Sequence, residues 1–332
     1  MTPVDLSRSV VRALRRAVED GELPAGVVVP ERVVVERTRP GGAGDYASPV
    51  AFGVAKGAGV APRGVAEVLA PRLAGLPGIE RVEITGAGFL NFVLAESSVG
   101  EYVRSIRADG ASYGVTPGER ETPRFTDAPA GALREGVVHA AVQRIVSSQG
   151  LAGEGVAAVA RIAPVAKRDG DVRARYGADG AAWAMLCVPG HETPVFPAWL
   201  LVQDESSEFF RVRYAHARAR ALTRNAEQLG FLSEPGEPGE PGEVHGAGAL
   251  LGALRDHPLV LEAAAHHRAP ERLVRQLVVL ADALLDFQYH VLPQGDEKPS
   301  AAHRARLALA EAAGTVLAGG LALLGIDAPD HL

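Results

Sequence analysis

Apolar residues recur along the chain with two different periods, and the change of period divides it. Leu6, Val10, Val11, Leu14 and Val18 sit at helical spacing, which predicts an amphipathic first helix within 1–20. The β-branched runs Val27–Val29 and Val33–Val35 follow, broken by Pro30. Val50–Ala58 and Pro62–Leu73 read as helices, the second with proline near its start, where a missing N–H costs nothing. Val82–Thr85 and Leu90–Leu94 predict a hairpin around Gly86-Ala87-Gly88. Beyond this block the pattern is irregular until a helix at Leu133–Ser148 and an alternating run, Val156–Val165, that predicts a strand. Helical spacing then dominates, over Glu208–Gly230, Leu250–Ala265, Ala269–Tyr289 and Ala301–Leu324. The organisation expected is a small α/β domain over 1–96, a less regular middle over 97–175, and an all-α domain over 176–332.

Composition changes this picture little. Hydrophobic residues make up 47%, enough for a buried core in each domain. The single cysteine, Cys187, excludes an internal disulfide and a thiolate zinc site, and its apolar surroundings suit a small buried residue. His266 and His267 are adjacent and His257 is remote, so no metal-ligand spacing recurs. No Gly-rich phosphate loop follows a clear strand, and no Ser/His/Asp set can be placed. The first twenty residues lack the apolar core of a signal peptide, and no apolar run approaches the roughly 18 residues that span a bilayer. A cytoplasmic protein is expected, with no membrane partner, and the Ala-, Gly-, Val- and Arg-rich bias is that of a GC-rich bacterial genome. The net charge of −6 counts against a nucleic-acid binder. Four glutamates belong to the tract Glu234–Glu243, a three-residue Glu-Pro-Gly repeat that reads as a flexible solvated loop. Charge distribution therefore matters more than the total.

Within the first block, Gly44-Asp45-Tyr46-Ala47-Ser48-Pro49-Val50-Ala51, then Ala55-Lys56, Pro62-Arg63 and Gly86-Ala87-Gly88-Phe89-Leu90-Asn91-Phe92 keep a consistent order and spacing. This stretch resembles the N-terminal additional domain of arginyl-tRNA synthetases, whose corresponding motifs read GDYATNVA, AK, PR and GPGFINF. The resemblance implies a domain that grips the tRNA elbow, with Phe89 and Asn91 at the positions that meet a D-loop base, beside Asp45 and Tyr46. An aromatic face can stack a splayed base and an amide can bond its edge. By residue type alone Phe89 could equally be core, and Asn91 either exposed or bonded in a turn.

In the third block, Tyr214-Ala215-His216-Ala217-Arg218 matches the YAHAR motif of the DALR anticodon-binding domain of the same enzymes. Ala269–Leu273, Ala305–Leu309 and Val316–Pro329 follow in the family's order. The resemblance implies an anticodon-side surface from Arg211, Arg213, Tyr214, His216, Arg218, Arg220, Phe287 and Tyr289. The arginines could contact phosphates or form a solvated, internally paired face. Tyr214 and His216 lie two apart and so project to different faces, one of them into the bundle. Where the family has a Phe-Tyr pair this chain has Phe287-Gln288, with Tyr289 one place later. Where the family ends in Pro-Glu-Arg-Met, it has Pro329-Asp330-His331-Leu332.

Between these blocks, Asp127–Val137 aligns with the family's NPTGPLHVGH, but Arg134 and Val137 stand where the two histidines would be. The KMSKS counterpart, Val165–Val172, keeps Lys167 and has Arg168 beside it. In class I synthetases these motifs bind ATP and stabilise the transferring phosphates on a Rossmann fold. Fewer than about 30 residues separate the remnants here, too few for the repeated crossovers of a parallel sheet. The fold class expected is α/β plus all-α: a small N-terminal α/β domain, a shrunken Rossmann-like α/β remnant and a C-terminal DALR helical bundle. The function implied is a non-catalytic tRNA-binding pseudoenzyme, a synthetase paralogue without cofactor. It would present an arginine-type tRNA to a tRNA-modifying enzyme or a transferase, or sequester it from the genuine arginyl-tRNA synthetase. The alternative is a protein-interaction scaffold that has lost RNA binding.

Overall fold

In the computed structural model, residues 3–24, 26–30, 32–38, 42–95, 98–115, 133–150, 161–239 and 244–332 are described. The chain divides into two compact units, Met1–Ser97 and Ser98–Leu332.

Among its described residues, the first unit has three helices and a four-stranded sheet around one core. Helix α1 (Pro3–Glu19) buries Leu6, Val10, Val11, Leu14 and Ala17 and leaves Arg12, Arg15 and Arg16 exposed. The valine runs after it do not pair as a ladder. Val27, Val33 and Val35 are buried as extended coil. Two hydroxyls bond the backbone of the second run, Ser7 Oγ to Val33 O and Ser48 Oγ to Val34 O, each at 2.7 Å. This satisfies carbonyls that no strand partner reaches. The sheet is antiparallel throughout, in the order β1 (Glu36–Arg37), β2 (Tyr46–Ser48), β4 (Phe89–Leu94), β3 (Ile79–Thr85). Helices α2 (Val50–Ala58) and α3 (Pro62–Ala74) pack on it, and Leu90 and Phe92 of β4 enter the same core. The β3–β4 turn passes close to the start of α3. Gly88 has φ +140°, and a Cβ there would lie 2.9 Å from the backbone carbonyl of Pro62. Gly88→Ala should therefore cost about 1–3 kcal/mol and shift the hairpin, readable as a lowered denaturant midpoint.

The second unit is helical among its described residues: α4 (Val99–Asp109), α5 (Leu133–Ser148), α6 (Val172–Leu186), α7 (Glu208–Gln228), α8 (Ala247–His267), α9 (Pro270–Phe287) and α10 (Ala301–Leu324). One core joins Ile106, Val142, Trp183, Leu222, Leu254, Leu277 and Leu317, so helices of the expected middle share a core with those of the expected third domain. Of the strand expected over Val156–Val165, residues 156–160 lie outside the described residues, and 161–165 form neither strand nor helix. Helix α6 kinks at Gly177, with φ 72°, and Asp171 caps its start by accepting from the N–H groups of Arg173 and Ala174.

Two expectations are corrected here. Helix α10 is long and apolar enough to cross a membrane by length and composition, although no such run was expected; 67% of that window is buried in the unit, as for a core helix. The Glu-Pro-Gly tract is not a loose loop where it is described, through residue 239. Glu237 Oε1 accepts from Val99 N at the start of α4, Arg306 Nε donates to Pro238 O at 2.6 Å, and Glu234 N donates to Arg304 O. Three backbone or carboxylate groups anchored on two helices outweigh the flexibility its composition suggests.

Candidate nucleic-acid interface

In the first unit, the strand alternation settles the two residues left open. Phe89 lies at the edge of β4, 43% exposed, while Leu90 and Phe92 point inward. Its ring meets that of Phe52 on α2, with centroids 4.9 Å apart and planes tilted by 56°. Lys56, one helical turn beyond Phe52, and Arg63 at the start of α3 are exposed. Arg63 itself pairs with Glu67 and reaches Gly86 O. Asn91 is only 5% exposed, because β2 and β3 flank it on both sides; its Nδ2 donates to Thr85 Oγ1 at 2.7 Å. The amide is spent inside the hairpin. Tyr46 is buried, and exposed Asp45 accepts from Leu94 N, pinning the end of β4. Of the four residues read from sequence, Phe89 presents an aromatic surface. Phe52, which no motif marked, completes a two-ring ledge.

In the second unit, α7 and the end of α9 line a groove of about 1070 Å³. Its aromatic members are Phe210, Tyr214 and Tyr289, with Leu285 beside them. Phe210 and Tyr214, four apart on α7, stack at 5.4 Å and 15°. Tyr289 is 66% exposed. Phe287 and Gln288 are buried, so the displacement by one residue in this chain puts the tyrosine at the surface.

The arginines of α7 are engaged. Arg211 holds Asp282 with two N–H groups, at 2.8 and 3.3 Å, and donates to Glu205 O. Arg218 donates to Gln288 Oε1 at 2.6 Å. Arg213 lies over the Phe209 ring and 3.9 Å from Asp179. Arg220 pairs with Asp330. His216 is the residue of the YAHAR pair that enters the bundle, 6% exposed, with Nδ1 at 3.1 Å from Gly314 O. With Asp204, Glu205, Asp282 and Asp286 around two arginines, the groove carries excess negative charge. It suits the flat face and amino edge of a base better than a phosphate. Phe210 could have been found from its helical spacing to Tyr214; Asp282 and Gln288 could not.

The two degenerate positions differ in fate. Arg134, on the first turn of α5, is fully buried and donates to six main-chain carbonyls. These are Met185 O (3.2 Å), Ala163 O (2.8 Å), Gly190 O (3.2 Å), Val188 O (3.4 Å), Pro189 O (3.0 Å) and Glu192 O. Burial pulls its guanidinium below the usual arginine range. Its planar fork of donors is what lets one side chain satisfy a carbonyl cage. Val137 is half-buried against the same core. Lys167 and Arg168 are exposed in a 3-10 turn before α6. The segment Asp127–Ala132 lies outside the described residues. Cys187 donates toward Ala184 O, and burial pushes its thiol up, away from nucleophilic thiolate. Among the described residues, no cluster of three or more His, Cys, Asp and Glu side chains could hold a metal ion.

Residues 5–94 match the arginyl tRNA synthetase N terminal domain, and residues 212–332 match the DALR anticodon binding domain. An arginine--tRNA ligase of Frankia alni is 54% identical over 114 residues, a match spanning 34% of this chain and 20% of that protein. This chain thus spans about a fifth of the curated relative it matches. Among solved structures, the Thermus thermophilus arginyl-tRNA synthetase is similar over 100% of both chains, with a TM-score of 0.58 and 16% identity, a likeness of fold.

Proposed function

We propose that this chain, an arginyl-tRNA-synthetase-like protein with an N-terminal domain and a DALR domain of that kind, binds tRNA of the arginine type without aminoacylating it. The carrying observation is the α7–α9 groove, where the Phe210–Tyr214 stack and exposed Tyr289 form a base-sized aromatic surface in the DALR region. The Phe52–Phe89 ledge supports a second base contact on the other unit. Arg134 supports the absence of aminoacylation. It stands where the family has a histidine for ATP, and a carbonyl cage consumes every donor that could have faced a phosphate. The role we propose is a cytoplasmic one, in which the tRNA is presented to a modifying enzyme or withheld from the genuine synthetase.

A second reading, a protein-interaction scaffold, is favoured by one observation. The segment after α6 exposes the apolar side chains Val195, Trp199, Leu201 and Val202, none of which lines the α7–α9 groove.

Sequencing of cellular tRNA retained on the purified protein, across a salt series, separates the two. Enrichment of arginine isoacceptors is expected, with no ATP–pyrophosphate exchange. Tyr214→Ala should weaken tRNA binding about 5- to 100-fold while leaving the salt slope unchanged, because it removes a stacking surface and no phosphate contact. No enrichment at low salt would leave the scaffold.

A further inference from the structure

Helix α7 carries five arginines, and their partners fall into two classes. Arg211, Arg213 and Arg218 are held by residues of α6 and of the end of α9. Arg220 and Arg224 are held by the segment that follows α10. Arg220 Nε lies 3.2 Å from Asp330 Oδ1, and His216 Nε2 lies 3.5 Å from the same oxygen. Arg224 Nη2 reaches Asp330 O and His331 Nδ1, both at 3.4 Å. His216, Arg220 and Arg224 are spaced four apart, so they form one stripe along α7.

We propose that this stripe is a phosphate-binding site which the chain's own Asp330 fills, so that an RNA backbone must displace the segment to engage it. Two guanidinium groups converge there, Arg220 Nε donating to one carboxylate oxygen of Asp330 and Arg224 Nη2 to the carbonyl behind it, with the His216 ring beside them; such donors are those a phosphate diester would use. The occupant is positioned from the α10 side. Gly325 turns the chain at φ 75°, Ile326 is buried with its N–H on Leu321 O, and Ala328 packs on the core. Beyond that anchor, Asp330 and Arg220 are each about half exposed, at 53% and 52% of the side chain. An ion pair so exposed is held weakly and yields to a polyanion. With the segment in place one carboxylate faces two arginines, so its departure raises the local positive charge of the stripe. The inference rests on the tRNA reading for its natural ligand, but not for its chemistry.

The test uses the full chain, wild type and Asp330→Asn, with two phosphate probes: a short inorganic polyphosphate and total tRNA. Phenylglyoxal modification, mapped by mass spectrometry, should reach Arg220 and Arg224 faster in Asp330→Asn. Polyphosphate affinity at low salt should rise about three- to tenfold, as expected when one or two phosphates pair with the freed arginines. The rise should vanish when Arg220→Ala and Arg224→Ala are added, and Asp330→Glu should behave as wild type. Unchanged arginine reactivity and unchanged polyphosphate affinity overturn the proposal, whatever tRNA does. A rise with polyphosphate and no tRNA binding by either protein upholds the phosphate site and instead removes the tRNA reading.

Discussion

Arg134→Ala should lower the unfolding free energy by about 3–4 kcal/mol. Arg134 is fully buried on the first turn of α5, and its donors satisfy carbonyls from Ala163 and from the stretch between Met185 and Glu192. That stretch leaves α6 without helix or strand, so its carbonyls have no ladder to join. Removing the guanidinium leaves them to whatever water the new cavity admits, and it removes the volume that holds the segment against α5. Arg134→Met keeps most of the volume and none of the donors, so the difference between the two variants separates packing from hydrogen bonding. Arg134→Lys should resemble Arg134→Met more than wild type, because three donors on one nitrogen cannot span a cage built for a planar fork. Urea unfolding followed by circular dichroism reads all three. A wild-type midpoint for Arg134→Ala would mean that the carbonyl cage is not formed in solution.

How far such features could be read beforehand depends on how local their causes are. The helices α2, α3, α5, α7, α9 and α10 follow apolar spacing within one window, and the β3–β4 hairpin follows alternation around a glycine turn, so each is legible. The buried ring of Phe92 and the exposed ring of Phe89 obey the same alternation. Asn91 does not, since its burial comes from β2, more than forty residues earlier, closing on the outer side of β4. The arginines of α7 were legible as a cluster but not as paired groups, because Asp282 and Gln288 lie about seventy residues away. Arg134 was legible as a lost histidine and not as a structural centre. A carbonyl cage is drawn from the backbone, which carries no residue signature. The Glu-Pro-Gly tract misled for the opposite reason. Its composition speaks of flexibility, whereas Glu237 and Pro238 are held by single specific bonds to α4 and α10 that composition cannot register.

Acid should destabilise the helical unit through His257, by an amount approaching about 3 kcal/mol. The side chain lies inside α8, 2% exposed, with its ring stacked on Tyr113 at 6.1 Å. Its Nδ1 has no hydrogen-bond partner among the described residues, so nothing there stabilises a second proton. Burial lowers the imidazole from the ordinary 6.5 to about 4. The unfolded chain therefore takes up a proton near pH 6.5, while the folded chain refuses it until about pH 4. Between those values the unfolded state binds more protons, and stability falls as pH falls; below about pH 4 both states are protonated and this contribution levels off. Carboxylates titrate in the same window, so the wild-type curve alone does not isolate the effect. His257→Phe keeps the ring stacked on Tyr113 and removes the titration. The difference in unfolding free energy between wild type and His257→Phe should grow in favour of the variant from pH 6.5 down to 4 and then stay constant. A difference that is flat across that range would mean the imidazole is reached by water or by a partner, and that the Tyr113–His257 packing is looser than its burial indicates.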